Sequence, residues 1–140
     1  MVSTGIQLFV QKYHNGVLST RRKSGTSQLS IVTVGLVEGN ICFSTTQARS
    51  KYFNLLRDPD CSLLVSKDDW WEYIVIEGKA KIMGAFNTRS EDLRLLHRQV
   101  YAQTAGHDHP DWVEFDKAMV NDGRVVVFVE PQSIYGTVSG

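Results

Sequence analysis

The sequence contains few of the residues and motifs that would assign it to a protein class at once. Its 140 residues include only two cysteines and three prolines, and no apolar run approaches the roughly 18 residues of a membrane span. Cys42 and Cys61 are too few and too far apart for a disulfide framework or a four-cysteine zinc site. We expect two buried thiols in a cytoplasmic protein, since a secretory start is also missing.

Motifs for phosphate binding and covalent catalysis are missing as well. Neither a glycine-rich dinucleotide fingerprint nor a Walker pattern occurs, and no serine stands in a nucleophile elbow. His107, Asp108, His109 and Asp111 form a cluster ten residues after His97. A zinc or iron site needs three or four converging ligands, so a solvated loop without metal is expected here. The residues identify no catalytic group.

Charge is balanced overall but is unevenly distributed along the chain. Residues 1–57 hold seven Lys/Arg and one acid, whereas residues 58–140 hold eight Lys/Arg and fourteen acids. Zero net charge argues against broad nucleic-acid binding. The imbalance permits a local basic site for a small polyanion, unless folding mixes the two parts.

Hydrophobic periodicity predicts one domain over residues 1–140 that is mainly β. Tight turns between consecutive strands make neighbouring strands antiparallel, and helices interrupt their order. Such a pattern favours an antiparallel barrel of six or seven strands with three or four helices. Strands are predicted at Val17–Arg22, Gln28–Val37, Ile41–Thr45, Cys61–Ser66, Trp71–Met83, Arg124–Glu130 and Ser133–Val138. Helices are predicted at Thr4–Asn15, Ala48–Arg57, Thr88–Gln103 and Pro110–Val120.

The junction between the third strand and the second helix is the most informative segment. Hydroxyl side chains end the strand, Thr46 or Gln47 is expected near the helix N-cap, and Arg49 and Lys51 fall in the first turn. Cations oppose the helix dipole there, and a bound phosphate would reverse that cost. The segment predicts either an anion site or a solvated helix face that carries charge by chance.

Two adjacent tryptophans form a second unusual feature. Trp70 and Trp71 follow two aspartates at the start of a predicted strand. Large aromatic side chains at such a position can stack on a planar ligand. Packing in the core or at a dimer interface is the alternative.

Taken together, these segments resemble a known family. The sequence is similar to the split β-barrel proteins related to pyridoxamine phosphate oxidase, and more closely to the oxidoreductases that use the deazaflavin coenzyme F420. The resemblance covers nearly the whole chain. It rests on the order and spacing of Ser27–Ser30, Ala48–Lys51, Asn54–Pro59, Asp68–Gly78, Tyr101–Gly106, His109–Trp112, Ala118–Val120 and Arg124-Val125.

The resemblance implies a homodimer with two cofactor sites at the subunit interface. By position, Arg49 and Lys51 would bind the cofactor phosphate, and Ser44, Thr45 and Asn54 would hydrogen-bond nearby groups. Gln28 and Ser30 would lie at the edge of the ring, and Trp71 would form part of the pocket wall. The spacing Arg49-Ser50-Lys51 resembles that of the deazaflavin users, whereas flavin mononucleotide (FMN) oxidases of this superfamily usually have adjacent Arg-Lys.

The implied function is hydride transfer from reduced coenzyme F420 to a small conjugated acceptor such as a quinone, a tetrapyrrole or an enone. The cofactor supplies such chemistry, and the protein supplies position and electrostatics. One alternative is an FMN-binding oxidoreductase of the same fold. A further alternative is a non-catalytic protein that binds a cofactor or haem. Neither a membrane nor a nucleic acid is expected as a partner.

Overall fold

The computed structural model describes residues 2–138. Four helices and six strands follow one another in an order close to the predicted one. The helices are α1 Thr4–Lys12, α2 Ser50–Arg57, α3 Ser90–Ala105 and α4 Trp112–Asn121. The strands are β1 Asn15–Arg21, β2 Ser27–Val37, β3 Asn40–Thr46, β4 Asp60–Ser66, β5 Tyr73–Met83 and β6 Arg124–Gly136.

The strands form a closed antiparallel barrel in the order β1-β2-β3-β6-β5-β4. Closure leaves no unpaired sheet edge. The β2–β3 hairpin turns through Glu38 and Gly39, which both have positive φ, the requirement of the hairpin turn whose twist matches that of its strands. The predicted antiparallel barrel with inserted helices is confirmed.

The prediction of a separate seventh strand after Pro131 is wrong. β6 continues through Pro131 to Gly136 and pairs with β5 along its length. The register shifts between Glu77 and Gly78, and a Cβ atom at Gly78 would collide with the carbonyl oxygen of Glu130. This bulge accommodates the proline, so the strand bends where the sequence pattern indicated a break.

Two apolar clusters stabilise the fold. The larger fills the barrel and includes Phe43, Leu63 and Ile74, all with 0% exposure, while α1 contributes Val10. The smaller lies outside the barrel, where Val100 of α3 packs against the outer face of β2, β3 and β6. Strand alternation supplies both clusters, because neighbouring side chains of one strand point to opposite faces.

Both thiols are buried, as predicted. Burial raises the pKa of Cys42 to about 12. Burial, followed by the charges of Asp60 and Asp58, raises the pKa of Cys61 to about 11. Neither cysteine is therefore a thiolate nucleophile at neutral pH.

Candidate functional site

A groove of about 840 Å³ lies on the outer face of the barrel. Strands β2, β3 and β6 form its floor, and helices α3 and α4 form one wall. We call it the groove. Its lining residues are Ile31, Val32, Thr33, Ser44, Thr45, Thr46, Arg49, Lys51, His97, Val100, Tyr101, Thr104, His109, Glu114, Phe115, Ala118, Met119 and Arg124.

The junction between β3 and α2 forms the basic end of the groove. α2 begins at Ser50, so Arg49 is its N-cap, and no side chain caps the helix. The prediction of Thr46 or Gln47 near the N-cap is wrong, because Thr46 still belongs to β3 and pairs with Arg124 of β6. The first turn of α2 therefore has backbone N–H groups without a side-chain acceptor, an arrangement that favours anions.

Three cationic side chains share this end of the groove: Arg49, Lys51 and Arg124. Burial, followed by the charges of Arg49 and Arg124, lowers the pKa of Lys51. Among residues 2–138, none of the three has a carboxylate within 4.0 Å. The sequence places Arg124 at the start of a predicted strand but does not indicate that it belongs to this site. Its approach to Arg49 depends on the β3–β6 pairing.

The hydroxyl residues predicted near the phosphate also line the groove. Ser44 and Thr45 lie at the end of β3. Ser44 faces outward like Cys42, which packs under α3, whereas Thr45 is buried. The structure thus brings together four of the eight predicted cofactor residues: Ser44, Thr45, Arg49 and Lys51.

Gln28, Ser30 and Asn54 do not line the groove. The two β2 residues have the same parity as Val32 and Val34, which lie in the barrel core. The Asn54 amide donates to Gln28 Oε1 at 2.7 Å and to Thr20 Oγ1 at 3.1 Å, so it ties α2 to the barrel. Any contact of these three residues with a cofactor stays a prediction.

Trp71 is exposed to solvent over 80% of its surface, and it does not line the groove of its own chain. It follows Trp70, which has a positive φ of 68° in the β4–β5 turn. The backbone N–H of Trp71 donates to Asp69 Oδ1 at 3.0 Å and helps to fix this turn. Two large aromatic side chains are thereby presented to solvent.

The opposite end of the groove is aromatic. Tyr101 of α3 contacts Phe115 and His109 with ring centroids 5.2 Å apart in each pair. The backbone N–H of Asp111 donates to His109 Nδ1 at 2.9 Å and fixes the position of the ring. His109 was expected in a solvated loop, and the structure packs it against aromatic rings instead.

His97 lies in the wall of the groove and is only 5% exposed. Burial lowers the pKa of His97 to about 4, and the Arg124 charge acts in the same direction. The ring is therefore neutral at pH 7. Its Nδ1 atom is buried without a hydrogen-bond partner in the described structure.

Residues 2–138 contain neither a cluster of metal-ligating side chains nor a membrane-spanning helix. No group of three or more His, Cys, Asp or Glu side chains in that range is arranged to hold a metal ion. No helix in it is long and apolar enough to cross a membrane.

Comparison with known families assigns the chain that forms this barrel. Residues 4–137 match the family model described as pyridoxamine 5'-phosphate oxidase. The chain belongs to this family. The resemblance inferred from the sequence is therefore confirmed, and the family is one of flavin-binding oxidoreductases. Within it, the present groove combines a basic end with an aromatic end, which suits a ligand with a planar ring and an anionic tail.

Solved structures share this fold. A conserved hypothetical protein from Mycobacterium tuberculosis is 24% identical, with a TM-score of 0.81 over 99% of this chain and 85% of that one. An F420 reductase is 19% identical, with a TM-score of 0.68 over 96% of this chain and 98% of that one. A pyridoxamine 5'-phosphate oxidase-related, FMN-binding protein from Nostoc punctiforme is 13% identical, with a TM-score of 0.63 over 86% and 72%.

Proposed function

We propose that this family member is an oxidoreductase that binds coenzyme F420 in the groove and reduces a small conjugated acceptor. FMN is the alternative cofactor. The observation that carries the proposal is the cluster of Arg49, Lys51 and Arg124, which has no carboxylate partner within residues 2–138. Collecting three unpaired cations costs stability, and a phosphate group would offset that cost.

Different residues of the groove would bind different parts of the cofactor. Arg49 offers bidentate hydrogen bonds to phosphate, Lys51 a point charge, and Ser44 a hydroxyl donor. The uncapped first turn of α2 adds backbone N–H donors. At the other end, Tyr101 and Phe115 offer apolar surface to a ring system. The groove thus fits a phosphate-bearing flavin or deazaflavin by charge and by shape.

Hydride transfer is the chemistry that such a cofactor supplies when bound. The chain's own residues would hold the ring and the acceptor together and exclude water from between them. No acid–base pair or covalent nucleophile is required of the protein. The buried thiols and the neutral His97 are consistent with a protein that supplies neither a covalent nucleophile nor an acid–base pair.

A homodimer is part of the proposal, and an apolar row on the outer face of the barrel supports it. Cross-strand partners Ile31, Val17, Leu64, Val75 and Tyr135 lie side by side on β2, β1, β4, β5 and β6. Ile31 is 84% exposed, and Tyr135 is also exposed. Val75 is only 7% exposed, so the exposed apolar surface is concentrated at the two ends of the row, and such surface is typical of an interface.

The same row leads to the groove, because Ile31 belongs to both. A second copy seated on the row would complete the open side of the groove. Trp71, which does not reach the groove of its own chain, would then be available to the groove of the other copy. Sedimentation velocity measures the oligomeric state, and a monomer at micromolar concentration would contradict this part of the proposal.

Fluorescence titration with oxidised F420 and with FMN tests the cofactor. We expect saturable binding of F420, and loss of both cations in Arg49→Ala/Lys51→Ala should weaken it by about 3–6 kcal/mol, since each charge-assisted hydrogen bond contributes about 1.5–3 kcal/mol. Arg89→Ala/Lys117→Ala is the matched control, because it removes the same charges outside the groove.

The outcomes separate the alternatives. A yellow protein with a flavin spectrum would favour FMN. Equal affinity of the two double variants would place the anion site elsewhere and contradict the proposal. If F420 binds, turnover of its reduced form with a panel of quinones, tetrapyrroles and enones distinguishes an enzyme from a cofactor carrier.

A further inference from the structure

A second cavity, of about 530 Å³, lies between α3 and α4 on the far side of one wall of the groove. We call it the inter-helical cavity. It shares His97, Met119 and Arg124 with the groove. Its remaining surface includes the apolar side chains of Ala85, Leu93 and Val120. A space of this size holds a small organic molecule.

The other charged groups around this cavity are already paired with one another. Asp116 accepts two hydrogen bonds from Arg98, at 3.0 and 2.6 Å, and lies 3.8 Å from Arg94. Arg94 is also 3.9 Å from Glu91. Arg124 has no such carboxylate within 4.0 Å among residues 2–138. The cavity therefore combines an apolar lining with one unbalanced positive charge.

Two buried polar atoms in the shared wall have no hydrogen-bond partner in the described structure: Arg124 Nε and His97 Nδ1. His97 is 5% exposed, so bulk water does not compensate for the missing bond. An unsatisfied buried donor on a charged group is costly, and proteins rarely leave one without a partner. Both residues line the inter-helical cavity and the groove.

We propose that the inter-helical cavity binds an apolar carboxylate, with its carboxylate on Arg124 and its hydrocarbon or aromatic body against Leu93, Met119 and Val120. A carboxylate balances the charge of Arg124 and offers its guanidinium an acceptor. The apolar body gains from burial against the surface of the cavity, which is mainly apolar although polar residues also line it. This inference does not depend on the cofactor proposed above, although the two sites share His97, Met119 and Arg124.

A fluorescent probe tests the proposal directly. We expect 2-naphthoate to bind the wild-type chain at least ten-fold more tightly than neutral 2-naphthylmethanol, which has the same ring system and no negative charge. Ala85→Trp, which adds bulk at an exposed cavity position outside the groove, should weaken naphthoate at least ten-fold. Ala105→Trp, at an exposed α3 position that lines neither space, is the matched control and should bind as wild type.

Val120→Glu provides a second variant that keeps the fold, because Val120 is 80% exposed at the rim of the cavity. Its carboxylate should repel naphthoate and leave 2-naphthylmethanol unaffected. Equal binding of acid and alcohol, or unchanged naphthoate affinity in both cavity variants, would overturn the inference. F420 titration keeps the two proposals apart: a wild-type chain that binds F420 but not naphthoate contradicts the inter-helical site alone, and Ala85→Trp should bind F420 as the wild type does.

Discussion

The interior of the barrel and the groove on its outer face are built from the same strands but differ in chemistry. β3 directs Phe43 into the core, where it is fully buried, and the next residue, Ser44, toward the groove. The interior is apolar and closed, whereas the groove collects cations that have no carboxylate partner within residues 2–138. Alternation along a strand thus separates the residues that stabilise the fold from those available to a ligand.

Substitution of the two neighbours on β3 tests this separation with the largest effect. Phe43→Ala should lower the free energy of unfolding by about 3–5 kcal/mol, because it leaves a cavity in a packed core. Ser44→Ala should change it by less than about 0.5 kcal/mol and should weaken F420 binding instead. Guanidinium melts and fluorescence titrations of both variants provide the measurements. If Ser44→Ala also lowered the free energy of unfolding by about 3–5 kcal/mol, the separation between core and groove residues would be contradicted.

The pH dependence of stability should show a smaller effect from the wall of the groove. The pKa of His97 is about 4 in the folded chain against an ordinary value of 6.5, so the unfolded chain binds more protons between these values. Stability should therefore fall as pH is lowered from 6.5 toward 4, by up to about 3 kcal/mol. His97→Gln should flatten this dependence in denaturant melts at about pH 7 and about pH 5.

His107→Gln is the control for that experiment, since His107 is exposed near the end of α3. Its melts should retain the wild-type pH dependence. An unchanged slope in His97→Gln would mean that His97 is not the group that couples folding to protons in this range.

Removal of one groove cation should have the smallest effect on the free energy of unfolding, and it should raise this free energy instead of lowering it. Lys51 has a lowered pKa because it is partly buried near Arg49 and Arg124. Lys51→Met should therefore raise the free energy of unfolding by a few tenths of a kcal/mol, since like charges destabilise by about that amount. The same variant should lose affinity for F420. Lys117→Met, on the exposed side of α4, should change neither quantity; a less stable Lys51→Met would contradict the interpretation of the cations as ligand-binding groups.

Local pattern identified most of the fold because each element buries one clear apolar face. β2 alternates Val32, Val34 and Leu36 toward the core, and that period was readable from the sequence. Pro131 led to the wrong prediction of two separate strands, because a proline usually ends a strand. The compensating bulge depends on Gly78 of another strand, and this pairing is invisible to a local pattern.

The basic end of the site was predictable and the rest was not. Arg49 and Lys51 are only two residues apart in the chain, so their charge could be recognised at a helix start. Arg124 and Tyr101 join the groove only through strand pairing and helix packing, which bring together residues far apart in sequence. Alternate residues of β2 point to opposite faces of the sheet. Which face lines the groove depends on where the helices pack, so the sequence alone does not show that Gln28 points away from it.

The wall formed by α3 and α4 is a long excursion between two strands that pair directly with each other. β5 and β6 meet at Met83 and Val126, so the intervening residues leave the barrel and return to the same hairpin. Closing a long loop costs only slightly more entropy than closing a short one. The barrel can therefore tolerate wholesale exchange of this excursion, and ligand preference can diverge among relatives by replacing one contiguous stretch of chain while the scaffold is left intact.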